Sequence, residues 1–262
     1  MREEIIRVSN SSYTKYEELL TRRDEVRKQA FQYERAYVRE FGDLILQVFQ
    51  MKLECIRKKK TIEYCQVFIN RGQSVDQNAL QEYLQKELEE YQAQLDNMIR
   101  DNEAAKQNER ITEADMLRIK RIYHRLVKKI HPDINPVTSE NEELMGLWQR
   151  LISAYNCNDL KEMEETEVLV NAVLEKLDLG TMDITIPDID EKIDEIQAEI
   201  DRIKSTDPYQ YNFLLSDPEA VKQKKQELRD ELKEYEDYGR QLDDILDGML
   251  EKGVITLTWQ MN

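Results

Sequence analysis

Glycine and proline are scarce, with seven and five in 262 residues. A protein of sheets and tight turns needs more of both, so the composition predicts a mainly α chain of long, solvent-flanked helices. Histidine is scarcer still: His124 and His131 stand alone, and the three cysteines at 55, 65 and 157 have no metal or disulfide spacing. No metal and no other cofactor is expected. Gly-rich phosphate loops, dinucleotide fingerprints and nucleophile motifs are missing, and the many carboxylates fall opposite apolar stripes, where they solvate helix faces. An enzyme is not expected. No apolar run approaches about 18 residues and no basic-then-apolar leader follows Met1, from which we expect a cytoplasmic protein that does not span a membrane.

Positive charge is the minority sign, with 38 Lys and Arg against 54 Asp and Glu and a formal net charge of -16. That balance argues against a general nucleic-acid binder, and the short basic patch Arg57 to Lys60 reads as a solvated helix face. One stretch reverses the sign. From Arg118 to Lys129 there are six cations and no carboxylate, which makes a candidate docking surface. Ile119, Ile122, Tyr123, Leu126 and Ile130 recur at three- and four-residue steps, so they share one helix face while Arg121, Arg125, Lys128 and Lys129 lie mostly away from it. Thr112 and Asp115 form a capping box that opens this helix, and Pro132 closes it. Ser139 and Glu142 repeat the capping pattern ahead of Leu144, Trp148, Leu151, Ile152 and Tyr155. Two short antiparallel helices with an exposed loop at their tip follow from this spacing.

The same residues, from about 112 to 157, resemble the J-domain of DnaJ-type co-chaperones. In that family a helix of the form Ile-Lys-x-x-Tyr-x-x-Leu leads to His-Pro-Asp, then Asn-Pro, then a helix with aromatic-x-x-aliphatic-x-x-Ala-Tyr. Here these are Ile119, Lys120, Tyr123 and Leu126, then His131, Pro132 and Asp133, then Asn135 and Pro136, then Trp148, Leu151, Ala154 and Tyr155. The resemblance implies docking on a DnaK-type (heat shock protein 70) ATPase and stimulation of its hydrolysis. It makes Asp133 the ion-pairing group, His131 and Pro132 the shapers of the loop, and Lys120, Arg121, Arg125, Lys128 and Lys129 the steering charges. The chain departs from the family in three ways. No Tyr-x-x-Leu-Gly helix stands just upstream, so a first helix is expected from the end of the preceding long helix. Ile134 replaces the usual Lys after the triplet. There is no Gly/Phe-rich linker and no repeated Cys-x-x-Cys.

Around this unit the apolar pattern predicts an N-terminal helical hairpin over 1–108, the J-like unit over 109–178 and a C-terminal hairpin over 179–262. In the first, a long helix runs from about 26 to 69, Gly72 reverses the chain, and Ser74 with Gln77 caps a return helix carrying Leu80, Leu84, Leu88 and Leu95. In the third, the stripe Ile189, Ile193, Ile196, Ile200 and Ile203 is expected to pair with Val221, Leu228, Leu232, Tyr235, Leu242 and Leu246. A short β-ribbon is expected from 182–188 and 254–259. Both hairpins read as antiparallel coiled coils, with seams that either close on themselves or receive a client or scaffold protein. Two functions follow: a co-chaperone or adaptor that recruits a DnaK-type ATPase, or a coiled-coil scaffold whose J-like fold activates no chaperone.

Overall fold

A computed structural model of the protein describes residues 2–106, 111–177 and 188–251. The described residues form nine helices and no strand: α1 (Arg2–Asn70), α2 (Gln77–Lys106), α3 (Glu113–Ile130), α4 (Pro136–Glu140), α5 (Glu142–Cys157), α6 (Leu160–Lys176), α7 (Ile189–Ser205), α8 (Tyr211–Ser216) and α9 (Pro218–Glu251). The fold is mainly α. The expected β-ribbon lies outside the described residues except for Asp188, which stands just ahead of α7. Among the described residues no helix is long and apolar enough to cross a membrane.

Local chemistry sets the helix limits. Gly72 has φ +65, the Gly72 N–H donates to the Ile69 carbonyl at 3.0 Å and the Gln73 N–H to that of Phe68 at 3.0 Å, which together make a Schellman stop for α1. Thr112 accepts from the Asp115 N–H at 3.1 Å and Asp159 from that of Glu162 at 2.9 Å, opening α3 and α6. Two expected caps are replaced by residues nearer the helix. Asp76 rather than Ser74 accepts from the Asn78 and Ala79 N–H groups, and Asn141 rather than Ser139 accepts from that of Leu144. Ser139 is taken up in α4, a single turn started by Asn135 and Pro136.

The described residues form two compact units, each assembled from separated stretches where the sequence predicts three consecutive segments. The first takes residues from 1–34 and 108–212, and its core holds Tyr16, Leu19, Leu20 and Val26 of α1, the apolar faces of α3, α5 and α6, and Ile193, Ile196 and Ile200 of α7. The second takes residues from 35–107 and 213–262. There α2 returns antiparallel to α1: Tyr64 meets Tyr83 at 5.0 Å between rings, Lys60 meets Glu87 at 2.7 Å, and Asp43 meets Asn102 at 2.8 Å. In the same unit α9 runs parallel to α1, with Lys225 on Glu40, Cys55 Sγ donating to the Tyr235 carbonyl at 3.2 Å and Lys58 on Asp243 at 2.7 Å. The α7 and α9 stripes, expected to pair, fall in different units. Each stripe is covered within its own unit, and α1 supplies a partner to both.

Candidate functional site

The His-Pro-Asp segment is a tight turn fixed by its own backbone. The His131 N–H closes α3 on the Val127 carbonyl at 3.0 Å, and the His131 carbonyl accepts from the Ile134 and Asn135 N–H groups at 2.9 and 2.8 Å. Asn135 then donates through Nδ2 to the Lys129 carbonyl at 2.8 Å and accepts from the Val137 N–H at 3.1 Å. Ile134 is fully buried. Behind the turn, Tyr123 of α3 stacks on Tyr155 of α5, with centroids 3.8 Å apart and planes at 9°, and Trp148 meets His131 in a T-shaped contact with centroids 4.7 Å apart.

The turn is not free at its tip. Arg23 of α1 is 8% exposed and reaches into it: Nε lies 3.2 Å from Asp24, Nη1 3.3 Å from Asp133, and Nη2 3.1 Å from His131 Nε2. Tyr123 donates to Asp24 Oδ2 at 2.7 Å. Burial alone would lower the Arg23 guanidinium, but the charges of Asp24 and Asp133 outweigh it and hold it raised. Burial pushes His131 below the usual imidazole range against the pull of Asp24 and Asp133, which favours the neutral ring. The Asp133 N–H donates toward His131 Nδ1 at 3.0 Å while Arg23 presents an N–H to Nε2, yet a neutral imidazole has one acceptor nitrogen. One of the two contacts is thus donor against donor.

The residues expected at the site fall into three groups. His131 is buried, Pro132 is partly buried, and the Asp133 side chain is 45% exposed beside Arg23. The cations of α3 are held from two flanks. Carboxylates of α1 take Lys120 (Glu25, 2.7 Å) and Lys128 (Glu17, 2.9 Å); α6 takes Arg125 through both oxygens of Glu167 (2.8 and 2.9 Å) and Lys129 through Asn171 (2.8 Å). Arg121 is exposed, with no ion-pair partner among the described residues. The end of α2, expected to supply a helix to this unit, lies against Arg35 and Arg39 in the other, and it is the start of α1 that packs in the core with α3. A cleft of about 720 Å³ opens beside the turn, between Arg23, Arg27, Trp148, Ile152 and Asn156.

No known family, curated protein or solved structure matches this chain. The site therefore stands on its own geometry. Arg23 and Asp24 were not singled out in the sequence, although a signal was there: Tyr16, Leu19, Leu20, Val26 and Ala30 mark the buried stripe of α1, and Arg23 sits within it. A cation on a buried face needs a partner. The patch at 57–60 is engaged in its own unit, with Lys58 on Glu54 and Asp243, Lys59 on Glu63 and Lys60 on Glu87. Among the described residues no cluster of His, Cys, Asp and Glu could hold a metal ion.

Proposed function

We propose that this chain is a J-domain co-chaperone or adaptor. It docks on a DnaK-type ATPase through His131, Pro132, Asp133 and the basic face of α3, and it works by binding, with the chemistry left to its partner. The observation that carries the reading is the turn itself: His131 is locked from behind by Trp148 and the Asp133 N–H, and the Asp133 carboxylate stands at the surface, partly exposed and held on one side by Arg23. The rest of the chain then serves to select a client or a location, through arms of coiled-coil type. A scaffold that activates no chaperone is the second reading, favoured by the internal pairing of Lys120, Arg125 and Lys128.

Single-turnover ATP hydrolysis by a cognate DnaK-type chaperone separates the two. The folded wild-type chain should accelerate it, His131→Gln and Asp133→Asn should lose most of that acceleration, and the effect should weaken with salt. No acceleration by the wild-type chain at any concentration would leave the scaffold.

A further inference from the structure

A partner that docks on Asp133 and on the α3 cations must present an arginine or lysine to the first and carboxylates to the second. The start of α1 already presents both. It runs antiparallel to α3, with Glu17 on Lys128, Asp24 on Tyr123 and Glu25 on Lys120 and His124, while Arg23 takes Asp133. Glu17 and Glu25 are eight residues apart, as are Lys120 and Lys128. At about 1.5 Å per residue both pairs span roughly 12 Å, so the charges of the two helices are in register over more than two turns.

These contacts are suited to exchange. The Lys120, Lys128 and Asp133 side chains are 51%, 64% and 45% exposed, against 31%, 15% and 10% for Glu25, Glu17 and Arg23, so each pair is open to water on its α3 or turn side, where screening weakens it. Arg23 is the deeper anchor, yet its contact with His131 competes with the Asp133 N–H for a ring that has one acceptor. The apolar side chains Leu19, Leu20 and Val26 keep α1 packed in the core whether or not its polar contacts hold. Letting go is therefore a matter of side chains rather than of unfolding the helix.

We infer that the stretch from Tyr16 to Arg27 is an autoinhibitory strap, which offers α3 and Asp133 the charges a chaperone would offer and so competes with it for the same surface. The inference rests on the co-chaperone reading. In it, the docking-competent form is the fraction in which Arg23 has left Asp133 and Glu17 and Glu25 have left α3, and the concentration needed for binding rises as that fraction falls.

The test uses the full chain in the same hydrolysis assay, as a function of its concentration, with Glu17→Gln/Glu25→Gln and Arg23→Gln beside the wild type and His131→Gln. The glutamine pair leaves every cation of α3 in place, and circular dichroism melts establish that each variant is folded. Half-maximal stimulation should come at a concentration at least about fivefold lower in both strap variants, with the maximal rate unchanged. If the wild type stimulates, His131→Gln does not, and the folded glutamine pair matches the wild type, the strap is wrong and the co-chaperone stands. Weaker stimulation by both folded variants would also overturn the strap, since α1 would then belong to the docking surface. If no variant stimulates, both readings fall together.

Discussion

Lys28 shows how the first core treats a charge. Its Nζ lies 3.7 Å over the Tyr155 ring, and burial drops its pKa to about 8, with Glu25 pulling the other way. In the unfolded chain the ammonium persists to near pH 10.4. Between those values the unfolded state binds more protons, so this residue's contribution to stability rises as pH climbs from about 8 to about 10. Wild type and Lys28→Met, compared by chemical denaturation at about pH 7 and about pH 9.5, should differ more in the wild type's favour at the higher pH. An unchanged difference would mean that the ring face keeps the proton on. Residues like Thr112 and Gly72 were legible in the sequence because each acts within five residues of itself. The partners of Arg23 were not, because they stand at 131 and 133, and a cation on a buried stripe calls for a partner without naming one more than a hundred residues away.

Among elements, the contact of α1 with α2 depends on a missing side chain. A Cβ on Gly42 would sit 2.3 Å from Asn102 Oδ1, and Asn102 is 4% exposed and donates to Asp43. Alanine at 42 gains about 0.5–1 kcal/mol of helix propensity but must displace Asn102 and its hydrogen bond, at about 1–3 kcal/mol. Gly42→Ala should therefore destabilise the protein by about 1 kcal/mol. Gly146 in α5 has nothing within 4 Å of its would-be Cβ, so Gly146→Ala should stabilise by up to about 1 kcal/mol. Urea denaturation of the two variants checks both signs, and destabilisation of similar size in both would refute the packing argument. The helices themselves were largely readable from their apolar period, including the turn between α1 and α2 and the α7 stripe. What covers each stripe was not. Periodicity states that a face is buried but does not name its neighbour, so the α7 and α9 stripes looked like partners although each packs within a different unit.

At the scale of the molecule, the stretch from 109 to 178 is not a free-standing segment. Its core includes Tyr16, Leu19, Leu20 and Val26 from α1 and three isoleucines from α7. A fragment of residues 109–178 should expose the α3 surface that these side chains cover, bind a hydrophobic dye such as ANS, and melt below the first transition of the full chain. A peptide of residues 12–34 added in excess should reverse part of both effects, and a fragment as stable and as dye-silent as the full chain would refute the shared core. The sequence placed the His-Pro-Asp turn and its two helices well because their signals are contiguous. It could not show that the stretch before residue 26 belongs to the same unit, since a helix long enough to serve two cores carries one unbroken pattern. That sharing also has a consequence for synthesis. Phe41 waits for Leu228, about 190 residues later, which at roughly 5–20 residues per second is about 10–40 s. A nascent chain of this protein thus holds one apolar stripe of α1 uncovered for much of its own translation, a stretch that is open to hydrophobic capture until α9 has been made.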